Sequence, residues 1–258
     1  MPLQPGVVER IHAGAGAALA IRSDAVEGGE AVRIDGLLLA LTNLPDPAQN
    51  SVWVERRPSA ARSALEAAEA AFRDRGMPWF GIELHPGRDP DVDRAIREAD
   101  LTRLLVRPTM AAGVSEVPVP SPPPGVTIER VRDEVGLAAM RVAEMAAFGT
   151  APAVAEGLAG PGLLDREDVA LFAAWDERGE PVGESVAYLA AGTVAVFGVG
   201  VVEVARGRGI GAAMTSSAVH AFGDDAELTW LQPSELAIPL YERLGFRTVC
   251  DWEVWIRS

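Results

Sequence analysis

Apolar runs and helix-forming stretches alternate along the chain, in the order expected of a sheet flanked by helices. Residues 194–202 are apolar and rich in β-branched side chains, which predicts a buried strand. Residues 211–222 are small and apolar and predict a packed helix. A glycine-rich turn, 206–211, lies between them. The pattern therefore predicts a strand, a turn and a helix at the centre of the molecule.

The remainder of the second half predicts further strands and one long helix before this unit. The strands are residues 126–131, 169–175 and 182–190, and the helix is 132–148. The turn 176–180 joins the second and third of these strands. An antiparallel series that becomes mixed at the central strand fits this order, so the expected fold class is α/β (α+β).

The first half repeats the order of helix, strand, helix and strand that follows Gly211, which predicts an internal duplication. An unrelated α/β domain is the alternative. The loop 54–58 of the first half contains no glycine and cannot form a backbone cradle, so this half is not expected to hold a phosphate ligand. The predicted helices are 7–22, 60–73 and 90–99, and the predicted strands are 34–41, 51–55, 79–84 and 102–106.

A proline-rich segment separates the two halves. Residues 117–125 contain five prolines in nine residues, which is stiff, extended chain that continues neither a helix nor a central strand. We therefore expect a first domain at 1–115, a linker at 116–125 and a second domain at 126–258.

Composition narrows the class of protein. The net charge of −14 disfavours nucleic acid and anionic membranes as partners. The single Cys250 excludes an internal disulfide, and three isolated histidines give no metal-ligand spacing. No signal peptide or spanning segment is predicted, so we expect a cytoplasmic monomer or homodimer with no metal.

The central turn predicts an anion site. Its glycines allow the backbone N–H groups to point one way, and the following helix start adds unpaired N–H groups and partial positive charge. A P-loop would need Gly-Lys-Ser/Thr where Gly211-Ala212-Ala213 stands. The dinucleotide fingerprint G-x-G-x-x-A is formally present, but it lacks an acidic residue after the next strand, which ends Trp230-Leu231-Gln232.

A third motif, Arg206-x-x-Gly209-x-Gly211, fits without exception. Together with Ser234-x-x-Ala237-x-x-Leu240-Tyr241-Glu242-Arg243-Leu244-Gly245-Phe246 it resembles the GNAT superfamily of acyl-CoA-dependent N-acyltransferases. The resemblance covers residues 126–255. With the internal duplication it implies a tandem GNAT-like mixed sheet flanked by helices, whose N-terminal half is a degenerate copy.

The resemblance implies acetyl-CoA as acyl donor and an amine, on a small molecule or a peptide, as acceptor. Backbone groups of the central strand would pair with the arm of the coenzyme, and the turn would hold its pyrophosphate. Ser234 takes the place of an asparagine that contacts the coenzyme in the family. The implied coenzyme-binding residues are Val199, Val201, Val202, Arg206, Gly207, Arg208, Gly209, Ile210, Gly211, Ala212 and Ser234.

The catalytic residues implied are Tyr241, as proton donor to the leaving thiolate, and a carboxylate base. Residues 193–197 contain no carboxylate, so the base is Glu203 in the loop after the central strand or Glu184 on the preceding strand. A water relay is a further alternative. Transfer of a longer acyl group, a non-catalytic acyl-CoA sensor and a nucleotide-dependent oxidoreductase are the rival functions.

Overall fold

A computed structural model of the chain describes residues 6–77 and 79–257. The helices are α1 Val7–Ala25, α2 Ala61–Asp74, α3 Pro90–Glu98, α4 Glu134–Phe148, α5 Pro152–Leu158, α6 Ile210–Val219 and α7 Ile238–Arg243. The strands are β1 Glu30–Ile34, β2 Leu37–Leu41, β3 Ser51–Val54, β4 Phe80–Leu84, β5 Thr102–Gly113, β6 Val126–Arg130, β7 Val169–Asp176, β8 Pro181–Ala190, β9 Thr193–Val201, β10 Leu228–Leu231 and β11 Arg247–Arg257.

One mixed sheet holds all eleven strands of the described chain, in the order β1-β2-β3-β4-β11-β5-β10-β9-β8-β7-β6. Two pairs are parallel, β3 with β4 and β9 with β10, and each pair is joined through a helix. The other pairs are antiparallel. The predicted mixed sheet flanked by helices is confirmed.

The two halves exchange their last strands. β11, at the end of the second half, lies between β4 and β5 of the first half, and β5 in turn lies between β11 and β10. The parallel pair β3–β4 is therefore extended by β11 from the second half, and the parallel pair β9–β10 is extended by β5 from the first half. The predicted linker 116–125 contains no α-helix or strand and begins at the last residue of the 3-10 helix Val114–Glu116, but the sheet is continuous across the boundary it marks.

Two elements differ from the sequence prediction. The strand expected at 34–41 is a hairpin, because Asp35 and Gly36 take φ values of 42° and 88° and turn the chain between β1 and β2. The strand expected at 102–106 extends to Gly113 as β5, since its later residues Met110, Ala111 and Ala112 are buried between two strands of the second half.

Helices cover both faces of the sheet. Alternate residues of each strand face opposite sides. On one face α1 and α4 pack on Leu38, Tyr188 and Trp230. On the other, α2 and α3 pack on Leu37 and its neighbours, and α6 and α7 pack on Ala187 and its neighbours. Helix α1 touches β1 and β2 as well as β8 and β9, so it spans both halves.

Candidate active site

The central feature of the site is a fork between β9 and β10. Pairing runs only from Thr193 to Ala195 on β9 and from Leu228 to Trp230 on β10. β10 ends one residue later, whereas β9 continues to Val201. Beyond Ala195, the β10 side of β9 has no strand partner among the described residues.

A bulge in β9 accompanies the fork. Glu184 lies opposite Gly200 and Val186 opposite Phe197, so two residues of β9 face Ser185 alone. One of the two is Gly198, whose φ of 56° is the left-handed value that such a bulge requires. The extra residue bends β9 at the point where the fork opens.

Backbone groups of β9 point into the fork. Val202 donates its N–H to the carbonyl of Val182 at 3.0 Å. In an antiparallel ladder, the neighbouring pair of Gly183 and Val201 then turns its own N–H and C=O groups away from the partner strand. Val201 therefore directs these groups to the fork, while the Val202 N–H is directed at β8. Val199 lies within the bulge, where this alternation is interrupted.

The glycine turn has the geometry of an anion site. Gly207 and Gly209 have φ values of 75° and 90°, and the turn is exposed. The first intrahelical bond of α6 runs from the Ala213 N–H to the Gly209 carbonyl at 3.2 Å. The N–H groups of residues 210–212 consequently have no acceptor within the helix, and the helix dipole adds partial positive charge beside them.

Both arginines of the turn are exposed and bound to backbone carbonyls. Arg206 donates from Nε to Val201 at 3.0 Å and from Nη2 to Ala147, at the end of α4, at 3.1 Å. Arg208 donates from Nη2 to Pro124 at 3.2 Å. The two guanidinium groups lie at the turn and fix it to neighbouring segments.

The corresponding position in the first half is filled by the chain itself. Asp35 accepts from the Ser59 N–H at 2.9 Å, from the Ser59 hydroxyl at 2.7 Å and from the Ala60 N–H at 3.4 Å, at the start of α2. These bonds hold the pKa of Asp35 below its ordinary value. A carboxylate thus lies against the two residues that precede α2 in this half.

Tyr241 lies on α7 and is buried against α6. Its ring packs edge-on against Phe246, with centroids 5.8 Å apart. Burial raises the pKa of the phenol to about 12, and a hydrogen bond with Thr215 opposes this shift. Thr215 also donates to the carbonyl of Gly211 at 2.8 Å, which places the phenol beside the first turn of α6.

Ser234 is exposed in the segment between β10 and α7. It precedes the short 3-10 turn Glu235–Ala237, but its side chain makes no capping bond there. Its carbonyl accepts from the Ala237 N–H at 2.9 Å. The hydroxyl of Ser234 therefore has no structural partner at the helix start.

The two carboxylates proposed as base differ sharply in environment. Glu203 is exposed in the 3-10 turn Glu203–Ala205, next to the glycine turn. Glu184 is only 4% exposed, and its Oε1 has no hydrogen-bond partner among the described residues. Burial, followed by the adjacent Glu144, raises the pKa of Glu184 well above its usual range. Glu144 itself accepts from the Thr150 hydroxyl at 2.7 Å.

A pocket of about 680 Å³, including its open mouth, lies where the fork meets the first half. Both arms of the fork contribute, through Phe197 on β9 and through Trp230 and Gln232 at the end of β10. The other lining residues come from α1, the loop before β3 and strands β3, β4, β5 and β11. Their sequence positions are too widely separated for a motif to reveal them.

Within residues 6–77 and 79–257, no group of three His, Cys, Asp or Glu side chains is placed to hold a metal ion. No described helix has the length and apolarity needed to cross a membrane.

Comparison with protein families identifies a known domain within the second half. Residues 167–248, which span β7 to β11, match the profile of the Acetyltransferase (GNAT) domain. The resemblance inferred from the two sequence motifs is therefore confirmed, and so is the enzyme class. A comparison with curated proteins found no match.

Solved structures share the fold over nearly the whole chain. A GCN5-related N-acetyltransferase from Kribbella flavida is 24% identical with a TM-score of 0.77, over 99% of this chain and 97% of that one. A tandem GNAT protein from the clavulanic acid biosynthesis pathway is 16% identical with a TM-score of 0.63, over 86% and 78%. A GCN5-related N-acetyltransferase from Sphaerobacter thermophilus is 18% identical with a TM-score of 0.61, over 96% and 93%.

Proposed function

We propose that this protein, whose second half is a GNAT acetyltransferase domain, transfers an acetyl group from acetyl-CoA to a primary amine by direct attack within a ternary complex. The observation that carries the proposal is the fork of β9 and β10, which leads from the glycine turn at α6 to the pocket between the halves. A long thioester can lie along this fork with its phosphates at one end and its acetyl group at the other.

The donor is held mainly by backbone groups. The pyrophosphate accepts from the backbone N–H groups of residues 210–212. It also accepts from the guanidinium N–H groups of Arg206 and Arg208. The amides of its arm pair with Val199 and Val201, as an added strand would. Gly207 and Gly209 have no side chains that could block the phosphates. On the β10 side of the fork, the hydroxyl of Ser234 contacts the coenzyme.

Catalysis then depends on proximity and on two proton transfers. The amine nitrogen bonds to the acetyl carbon, the carbon–sulfur bond breaks, and the nitrogen loses a proton while the sulfur gains one. Holding the reactants together supplies most of the rate gain. Tyr241, whose phenol stays protonated with a pKa of about 12, is the proton donor.

For the base we propose Glu184 ahead of Glu203. Glu184 lies on the face of the sheet that α1 and α4 cover, which is also the face of the pocket. A Cβ built on Gly200, opposite Glu184, would lie 3.4 Å from the Glu184 Cγ and 2.8 Å from Phe148 of α4. Its raised pKa suits proton capture near neutral pH. Glu203 lies instead at the phosphate end of the fork.

Release of free thiol from acetyl-CoA in the presence of amines tests the activity. Glu184→Gln is expected to lower kcat by about 100-fold or more and to remove the acidic limb of the pH profile. Glu203→Gln, which removes an exposed carboxylate, should preserve both. The opposite pattern would move the base to Glu203.

A non-catalytic acyl-CoA sensor is the second candidate. It is favoured by the burial of Tyr241 and Glu184, which are 6% and 4% exposed. Tight binding of acetyl-CoA by calorimetry, together with no thiol release for any amine, would establish the sensor instead of the enzyme.

A further inference from the structure

The pocket at the fork is built from both halves of the chain. Phe197 and Trp230 come from the two strands that separate, whereas Trp53 and Glu83 come from β3 and β4 of the first half. If the donor lies in the fork, its acetyl group faces this pocket. The side chains that line the pocket therefore indicate the chemical class of the acceptor. This inference rests on the proposed function.

Aromatic rings form a continuous wall. Trp252 contacts Trp53 at 4.6 Å and Trp230 at 5.9 Å between ring centroids, and Trp230 contacts Phe197 at 5.7 Å. The rings meet at steep angles and are fixed by mutual packing. Trp53, Trp230 and Trp252 are only 2%, 1% and 1% exposed, whereas Phe197 is partly exposed, so a flat apolar group would meet this wall at its Phe197 end.

Three charged side chains share the pocket with these rings. The Arg22 guanidinium lies over the Phe197 ring, 5.5 Å from its centroid. Arg107 is in register with Trp252, and Glu83 is in register with Trp53. All three are half-buried, and none makes a hydrogen bond or an ion pair with another residue in the described part of the chain.

A half-buried charge that has no hydrogen-bond or ion-pair partner in the protein is stabilised when a ligand of opposite charge pairs with it. The two guanidinium groups of the pocket can pair with a carboxylate of the ligand, and the carboxylate of Glu83 can pair with an ammonium group of the ligand. A polyamine or an aminoglycoside would bring several positive charges against Arg22 and Arg107, with only Glu83 to offset them. Such an acceptor is disfavoured here by like-charge repulsion.

We propose that the pocket binds an α-amino acid with an aromatic side chain, or a derivative that keeps its free carboxylate, as the acetyl acceptor. The carboxylate pairs with Arg107 and Arg22, the ring packs on the aromatic wall at Phe197, and Glu83 attracts the amine. The products are CoA thiol and the N-acetyl amino acid. The amine supplies one proton and the thiolate takes one, so the reaction needs no further reactant.

The test compares L-phenylalanine with phenethylamine, which differs by the carboxylate alone, and with spermidine. Wild-type protein is expected to acetylate L-phenylalanine with a KM about 10- to 100-fold below that for phenethylamine, the effect of one or two charge-assisted bonds. Arg107→Gln should raise the KM for L-phenylalanine by about 10-fold or more and leave kcat and the phenethylamine KM unchanged. Arg132→Gln is the matched control, because Arg132 is exposed and outside the pocket.

Two binding measurements distinguish the donor site from the acceptor site: calorimetry with acetyl-CoA, and quenching of tryptophan fluorescence by the amino acid. If acetyl-CoA binds but L-phenylalanine does not, or if spermidine is the better acceptor, the acceptor class is overturned and the donor site stands. If L-phenylalanine binds in an Arg107-dependent manner but acetyl-CoA gives no heat, the proposed function fails and the ligand class stands.

Discussion

Asp35 and Ser59 are joined by hydrogen bonds at the start of α2, from the Ser59 N–H at 2.9 Å and the Ser59 hydroxyl at 2.7 Å to one carboxylate oxygen. The same place in the second half is the open glycine turn before α6. In the first half a carboxylate binds the two residues that precede α2, whereas the turn before α6 has no such carboxylate among the described residues. The protein is therefore expected to bind one acetyl-CoA per chain.

Substitution of Asp35 tests this closure. Asp35→Ala should lower the Tm at pH 7, because the start of α2 loses its acceptor. The pKa of Asp35 is lowered in the folded state, so its stabilisation is present above the ordinary value of 3.8 and is lost as pH falls below it. The Tm difference should thus shrink towards pH 3, while Asp100→Ala, at an exposed residue, should show no difference at either pH.

Substitution of the buried carboxyl should have the opposite effect on stability. The pKa of Glu184 is raised by burial, so it stabilises the fold fully below its ordinary value of 4.5 and loses this contribution as pH rises through the folded pKa. Glu184→Gln is expected to raise the Tm at pH 8 and to match wild type near pH 4. Thermal unfolding across this range checks the prediction. An equal gain in Glu203→Gln would point to net charge as the cause.

The glycine turn offers a test with an internal control. Gly209 and Gly179 both have positive φ, 90° and 76°, and a Cβ at either would meet nothing within 4 Å. Glutamate at either position should therefore cost similar stability, about 1 kcal/mol. Only Gly209→Glu places a carboxylate against the pyrophosphate, and calorimetry should show loss of acetyl-CoA affinity by about 100-fold or more. Unaltered affinity would remove the basis of the donor site.

Tyr241 and Tyr188 form a natural pair of variants. They are the two tyrosines of the chain, both are buried, and burial raises the pKa of each to about 12. Tyr241→Phe should lower kcat by about 100-fold or more at unchanged affinity for acetyl-CoA. Tyr188→Phe should preserve kcat. Equal effects of the two changes would make Tyr241 a structural residue only.

The exchange of β5 and β11 predicts how fragments behave. Residues 126–258 alone would expose the edge of β10 and both edges of β11, which promotes aggregation. We expect this fragment to be insoluble on expression and to be recovered as a soluble complex when 1–125 is co-expressed. A folded, monomeric 126–258 fragment that binds acetyl-CoA would show instead that the second half is an independent domain.

Local signals in the sequence determined much of the proposed donor site. Arg206, Gly209 and Gly211 identify the turn, since positive φ and helix-start N–H groups depend on a few adjacent residues. The same holds for most helices and strands. The Asp35-Gly36 turn shows the limit: the apolar pattern predicts one strand over residues 34–41, although this dipeptide favours a hairpin.

The tertiary structure decided what depends on residues far apart in the chain. Sequence periodicity cannot tell which strand lies beside which, so the insertion of β11 between β4 and β5 was not foreseen. The bulge at Gly198, the burial of Glu184 against Glu144, and the meeting of Arg22, Glu83 and Arg107 in one pocket depend on that arrangement. The sequence by itself specified the glycine turn before α6, because its geometry is local, whereas the pocket at the fork exists only once the two halves pack together.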